Sequence, residues 1–269
     1  MTDNVPHHAL VFDSGVGGLS VSAAIRARLQ CLRQSYLADD AFRPYGDKSE
    51  AALNIRIPSL LAPLSAVIQP DLVVVACNTA STTALPAIRA ALDVPVVGVV
   101  PAIKPAAAQS KLKRIGVLGT PGTVRRRYVD DLIAQYASNC EVRLQGSVNL
   151  VEQAERLLRG EAVDDAVIQA EITPLFEGER IDAVVLACTH FPLLIDALKD
   201  QAPYPVDWID SGDAVARRVE SLLSKMKPKT VALPDSQTAF LTGTHQSPAR
   251  AQTFKTYGFD RIVSLPETR

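Results

Sequence analysis

The sequence has no surplus of charge: 28 Lys and Arg stand against 29 Asp and Glu, a net charge of −1 at pH 7. So even a balance argues against a broad nucleic-acid or anionic-membrane surface. Cysteine is scarce, at four in 269 residues, and none sits in a CxxC pair or a Cys-plus-His zinc spacing. No metal site is therefore expected. The start, MTDNVPHHALVFDSG, lacks the positive segment and apolar core of a signal peptide. No apolar run approaches the length of a membrane span. Four cysteines without export read as reduced thiols, so the expected location is the cytoplasm and no disulfide is expected. The 18 prolines form no low-complexity run that would mark a disordered linker.

What the chain does have is enough apolar residue, 47%, to core one large or two modest domains. It is organised around Val73–Ser81, VVVACNTAS. Three β-branched residues in a row read as a strand buried on both faces of a parallel sheet. Cys77, Asn78 and Thr79 then fall at its carboxyl end, where open α/β sheets place ligands. A single cysteine there is ordinarily a small core residue. A second copy argues otherwise: Val184–Pro192 reads VVLACTHFP, with Cys188 111 residues after Cys77. The chain reads as a duplicated unit, each half delivering one thiol to a shared cleft.

Taken in order, His7 and His8 read as a solvated pair before the first strand, Ala9–Phe12. Asp13-Ser14-Gly15-Val16-Gly17-Gly18 then resembles a dinucleotide turn, with Asp39 near the ribose-acid position. Ser20, however, replaces the third glycine, and Asp13 would face any bound phosphate. Asp13 and Ser14 suit an ammonium group or a proton better. Leu19–Leu32 has helical spacing, with Cys31 as inert packing inside it. Tyr45, in a Pro-Tyr-Gly turn, reads as a lid contact or simple surface. Asp47–Gln69 looks helical but should kink or break at Pro58 and Pro63. A helix is expected near Thr82–Leu92.

From Ile103 the pattern restarts, with a strand at Ile115–Leu118, a turn at Gly119–Thr123 and a helix over Val124–Ala137 that begins with three arginines. Cys140 reads as structural. Glu152 stands near a helix start, where it serves the dipole or faces the cleft. His190, two residues after the repeated cysteine, reads as chemical. His245 reads as loop surface.

Two facing thiols without disulfide, metal or cofactor suit the removal of a proton from carbon and its return to the opposite face. A thiolate serves as base when its neighbours bring its pKa toward the working pH. Strand-end amides and the hydroxyls of Thr79, Thr120 and Thr189 could hold a carboxylate and stabilise a developing enolate. Asp13 would relay protons near Cys77, and Glu152 or His190 near Cys188. The residues thus point to a cofactor-independent racemase or epimerase.

In order and spacing, DSGVGGLSV, PYGDKS, ACNTAS, GTPGTVRRRY, LVE and ACTHFPLL resemble the glutamate racemases of bacterial cell-wall synthesis. The likeness runs from about Leu10 to Gly212 and is nearest to Gram-negative members. It implies two pseudo-symmetric α/β domains with mostly parallel sheets, 1–99 plus 212–269 and 100–211, and an active site in the cleft between them. It implies interconversion of L- and D-glutamate for peptidoglycan, without pyridoxal phosphate or other cofactor. By motif, Cys77 and Cys188 become the bases, and Asp13, Glu152 and His190 their supports. Ser14, Tyr45, Gly46, Asn78, Thr79, Thr120 and Thr189 become substrate contacts. Some Gram-negative members need a peptidoglycan precursor as activator, so that partner and a homodimer stay open. Ala38, where the family usually has glycine, and Pro58 and Pro63 depart from its pattern. An aspartate or hydantoin racemase, a non-catalytic amino-acid binder and a gyrase-contacting protein remain as alternatives.

Overall fold

A computed structural model describes residues 6–229, 237–243 and 247–265; His245 lies outside them. The chain divides into two compact units, Met1–Val99 with Gly212–Arg269, and Val100–Ser211. In the first run the strands β1 His8–Asp13, β2 Arg33–Ala38, β3 Leu72–Val75 and β4 Val96–Gly98 alternate with helices α1 Leu19–Arg28, α2 Glu50–Ile68 and α3 Asn78–Ala91. The second unit holds α4 Ile103–Gln109, β5 Arg114–Gly119, α5 Pro121–Val124, α6 Arg127–Tyr136, β6 Glu141–Gly146, α7 Asn149–Leu158, α8 Asp165–Phe176, β7 Ala183–Ala187, α9 Ile195–Gln201 and β8 Asp207–Ile209. The chain returns to the first unit with α10 Gly212–Leu223, β9 Thr238–Leu241, α11 Pro248–Thr256 and β10 Arg261–Ser264.

Strand order makes the duplication visible. The first sheet runs β10-β9-β2-β1-β3-β4 and the second β6-β5-β7-β8. The inner run β2-β1-β3-β4 is thus repeated as β6-β5-β7-β8, and every pairing is parallel. All four residues of β3 and all five of β7 are buried, as their unbroken apolar runs require. Helices cover them: Leu53, Ile57, Leu61 and Leu64 of α2 join the core of the first unit. Ile168 and Ile172 of α8, with Leu198 of α9, join that of the second.

Several local expectations are corrected. Helix α2 runs unbroken through Pro58 and Pro63. The carbonyls that lose their donors belong to Asn54 and Ser59, which are half-buried and exposed, so water can satisfy them. By length and composition α2 could cross a membrane, contrary to the expectation that no segment is long and apolar enough. Its apolar stripe is instead spent on the core just described. Cys31 is exposed and lies beyond the end of α1, not packed inside it.

His8 is not a solvated terminal residue: it opens β1, is buried, and its Nε2 meets Ser35 Oγ at 3.0 Å. Burial pushes its pKa down to about 4, against the pull of Asp71. His7 pairs with Asp71 at 3.2 Å.

Candidate active site

Cys77 and Cys188 each stand just past a buried inner strand of their own unit, β3 and β7. Their surroundings differ. Cys77 is the N-cap of α3, which begins at Asn78, four residues earlier than the Thr82 start that the sequence suggests. The Ser81 N–H donates to Cys77 O at 2.9 Å, so the first turn of the helix closes over Asn78-Thr79-Ala80-Ser81. Cys77 therefore stands at the positive end of a 14-residue helix, without a side-chain hydrogen bond capping it. Such a site favours negative charge on a cysteine. Ser14 Oγ lies 3.6 Å from that sulfur.

Cys188 has no helix behind it. A 3-10 turn, Phe191–Leu194, follows, and His190 folds back so that Nδ1 lies 3.9 Å from the Cys188 sulfur. Its Nε2 meets Glu155 Oε1 of α7 at 3.1 Å. All three side chains are buried. Burial alone would lower the His190 pKa, but the hydrogen bonds to Cys188 and Glu155 outweigh it and hold the ring protonated above its ordinary range. An imidazolium braced by a carboxylate is thus set against one sulfur, and a helix N-terminus against the other.

Residues 20–219 match the family described as Asp/Glu/Hydantoin racemase. The chain belongs to that family. A glutamate racemase of Brucella canis is 50% identical over 218 residues, covering 80% of this chain and 79% of its own. The crystal structure of Escherichia coli glutamate racemase, in complex with L-glutamate and the activator UDP-MurNAc-ala, superposes with a TM-score of 0.91 at 41% identity. It covers 97% of this chain and 98% of that one. Glutamate racemase isoform RacE1 from Bacillus anthracis gives 0.80 at 26% identity, over 98% of both chains.

The other candidates read from the sequence are distributed over both units. Asp13 ends β1, beside β3, and is fully buried. Its Oδ2 accepts the N–H groups of Gly15 and Gly18, each at 3.1 Å, which ties down the following turn. Gly18 fits there for want of a side chain: a Cβ would come within 2.8 Å of both Asp13 Cβ and Tyr36 Oη. Asn78 and Thr79 are buried in the first turn of α3, and Asn78 Oδ1 is a buried acceptor without a partner. Such an orphan suits a ligand's N–H group. Asp39 is no ribose acid, since Arg56 holds it in an ion pair at 2.8 Å.

Tyr45 is 2% exposed, and its hydroxyl donates to Asp39 Oδ2 at 2.8 Å. It is therefore neither surface nor a free hydroxyl lid; half-buried Gly46 adjoins it in the Tyr45–Asp47 turn. In the second unit Thr120 Oγ1 caps α5 by accepting from Thr123 N at 3.2 Å, and Thr189 is buried beside Cys188. Glu152 is the displaced member. Its side chain is 62% exposed and accepts from Arg159 at 3.1 Å. The acid that reaches His190 is Glu155, three residues on. Among the described residues no three His, Cys, Asp or Glu side chains gather as a metal site.

Proposed function

We propose that this protein is an isomerase that interconverts L- and D-glutamate, with Cys77 and Cys188 as bases on opposite faces of the substrate α-carbon. The carrying observation is the repeat itself: two buried cysteines, each just past the matching strand of a repeated β-α layout, each beside a group that favours negative charge. One thiolate removes the α-proton while the other thiol returns one to the opposite face. The positive end of α3 and Ser14 support Cys77, and His190 braced by Glu155 supports Cys188. Asp13 shapes the turn that carries Ser14. Asn78, Thr79 and Thr189, with the Thr120 loop, surround the substrate's polar groups. The named relatives support glutamate as substrate.

On the same reading the D-glutamate enters peptidoglycan synthesis, and the enzyme works in the cytoplasm. A peptidoglycan precursor acts as activator; the E. coli structure with UDP-MurNAc-ala supports that part. Circular dichroism during incubation with L-glutamate or L-aspartate, with and without UDP-MurNAc-alanine, tests it. Ellipticity should decay mainly with glutamate, and faster with the nucleotide. Faster decay with aspartate would move the protein to an aspartate racemase reading.

A further inference from the structure

One buried carboxylate of the first unit, at the end of β2, is saturated with hydrogen bonds and is not one of the racemase site candidates above. Asp39 follows β2 and is completely buried. Its Oδ2 accepts from Tyr45 Oη at 2.8 Å and Arg56 Nε at 3.0 Å. Its Oδ1 accepts from Arg56 Nη2 and Thr242 Oγ1, each at 2.8 Å. Four donors fill the capacity of one carboxylate. A buried carboxylate stays ionised only with a counter-charge, and Arg56 of α2 supplies it in a two-pronged geometry that lysine cannot copy. The same guanidinium lies 5.4 Å from the centre of the Phe42 ring, which packs edge-on against Tyr45.

Tyr45 is where this cluster meets the site. Its ring shares one buried cluster with Phe12 and Cys77, and its turn packs against α3, the helix that Cys77 caps. Burial and the Asp39 carboxylate both raise the Tyr45 pKa well above its ordinary value, so its hydroxyl remains a donor.

We infer that Arg56 is a positioning residue for the proposed racemisation: through Asp39 it fixes the Tyr45 ring as the wall against which the Cys77 sulfur is placed. The inference rests on the two-thiol reading. It also gives Tyr45 a different part from that of a substrate-binding hydroxyl. Without Arg56 the buried carboxylate loses its counter-charge and two of its four donors, and the Tyr45 turn loses its anchor. The Cys77 sulfur then loses its fixed distance to the α-carbon. Misplacing a reacting group by about 1 Å can cost roughly 100-fold in rate.

The test uses full-length Arg56→Gln and Arg56→Lys beside the wild type, with α-protiated and α-deuterated L- and D-glutamate. Arg56→Gln should lower kcat roughly 10- to 100-fold, more than it changes KM. The primary isotope effect should rise for one enantiomer only, the one whose proton Cys77 takes. Arg56→Lys should recover part of the loss. A variant that merely lost folded protein would show the same isotope effects as wild type for both enantiomers, and that result would overturn the inference. A second measurement needs no turnover: peptide-resolved alkylation by iodoacetamide on the folded proteins. Cys77 should alkylate several-fold faster in Arg56→Gln, with Cys188 unchanged. Unaltered Cys77 reactivity would refute the positioning role. Altered reactivity in a protein that does not racemise glutamate would instead refute the functional reading alone.

Discussion

Cys77→Ala and Cys188→Ala should each abolish racemisation of glutamate in both directions. On the proposed mechanism each direction uses one sulfur to take the proton and the other to return one, so neither can be spared. Loss of one positioned proton-transfer group typically costs about 10²- to 10⁴-fold. Racemisation rates by circular dichroism, started from either enantiomer, check this. Cys31, exposed beyond α1, and Cys140, half-buried at the start of the β6 edge strand, provide the contrast. Cys31→Ala and Cys140→Ala should stay close to wild type. A Cys77→Ala or Cys188→Ala enzyme with near-normal turnover would remove that cysteine from the mechanism.

The second large effect belongs to Glu155. Its carboxylate accepts from His190 Nε2, and His190 Nδ1 faces the Cys188 sulfur. Glu155→Gln keeps the shape but removes the charge that favours imidazolium. The His190 pKa must then move down from its raised position, because a base loses its proton at lower pH once its anionic partner is gone. The alkaline limb of kcat/KM should shift to lower pH, and kcat should fall by roughly 100-fold. Glu152→Gln, which breaks only an exposed pair with Arg159, should lose less. A pH–rate profile for both variants decides between them. A larger loss in Glu152→Gln would return the supporting role to the residue that the LVE motif suggests.

The placement of these two acids shows what is legible in the sequence and what is not. The strands carrying Cys77 and Cys188 are readable because uninterrupted β-branched runs have few other uses, and their repetition is a pattern in one dimension. The choice between Glu152 and Glu155 is not. Leu150, Gln153 and Ala154 mark the apolar and amide side of α7, and at 100° per residue both acids fall roughly opposite it, yet Glu155 is buried and Glu152 exposed. What selects Glu155 is the packing of the His190 turn against α7, a tertiary fact.

The same holds for α3, whose first turn looks like a loop until the helix closes, and for α2, whose prolines fall where solvent can replace the missing donors. It holds also for His8, which looks terminal but starts a central strand. Asp39 falls near a ribose-acid position in a turn the sequence already argues against, and its partners Arg56 and Thr242, 17 and 203 residues away, are visible only in the fold. In each case the local chemistry is plain in the sequence and a distant partner decides its use.

The central claim, one thiol on each face of one carbon, is most directly tested by a crystal structure with glutamate bound. Each sulfur should lie about 3–3.5 Å from the α-carbon, on opposite sides, and the two sulfurs therefore about 6–7 Å apart. Glutamate bound with both sulfurs on one side of its α-carbon, or with either sulfur turned into its own core, would contradict it.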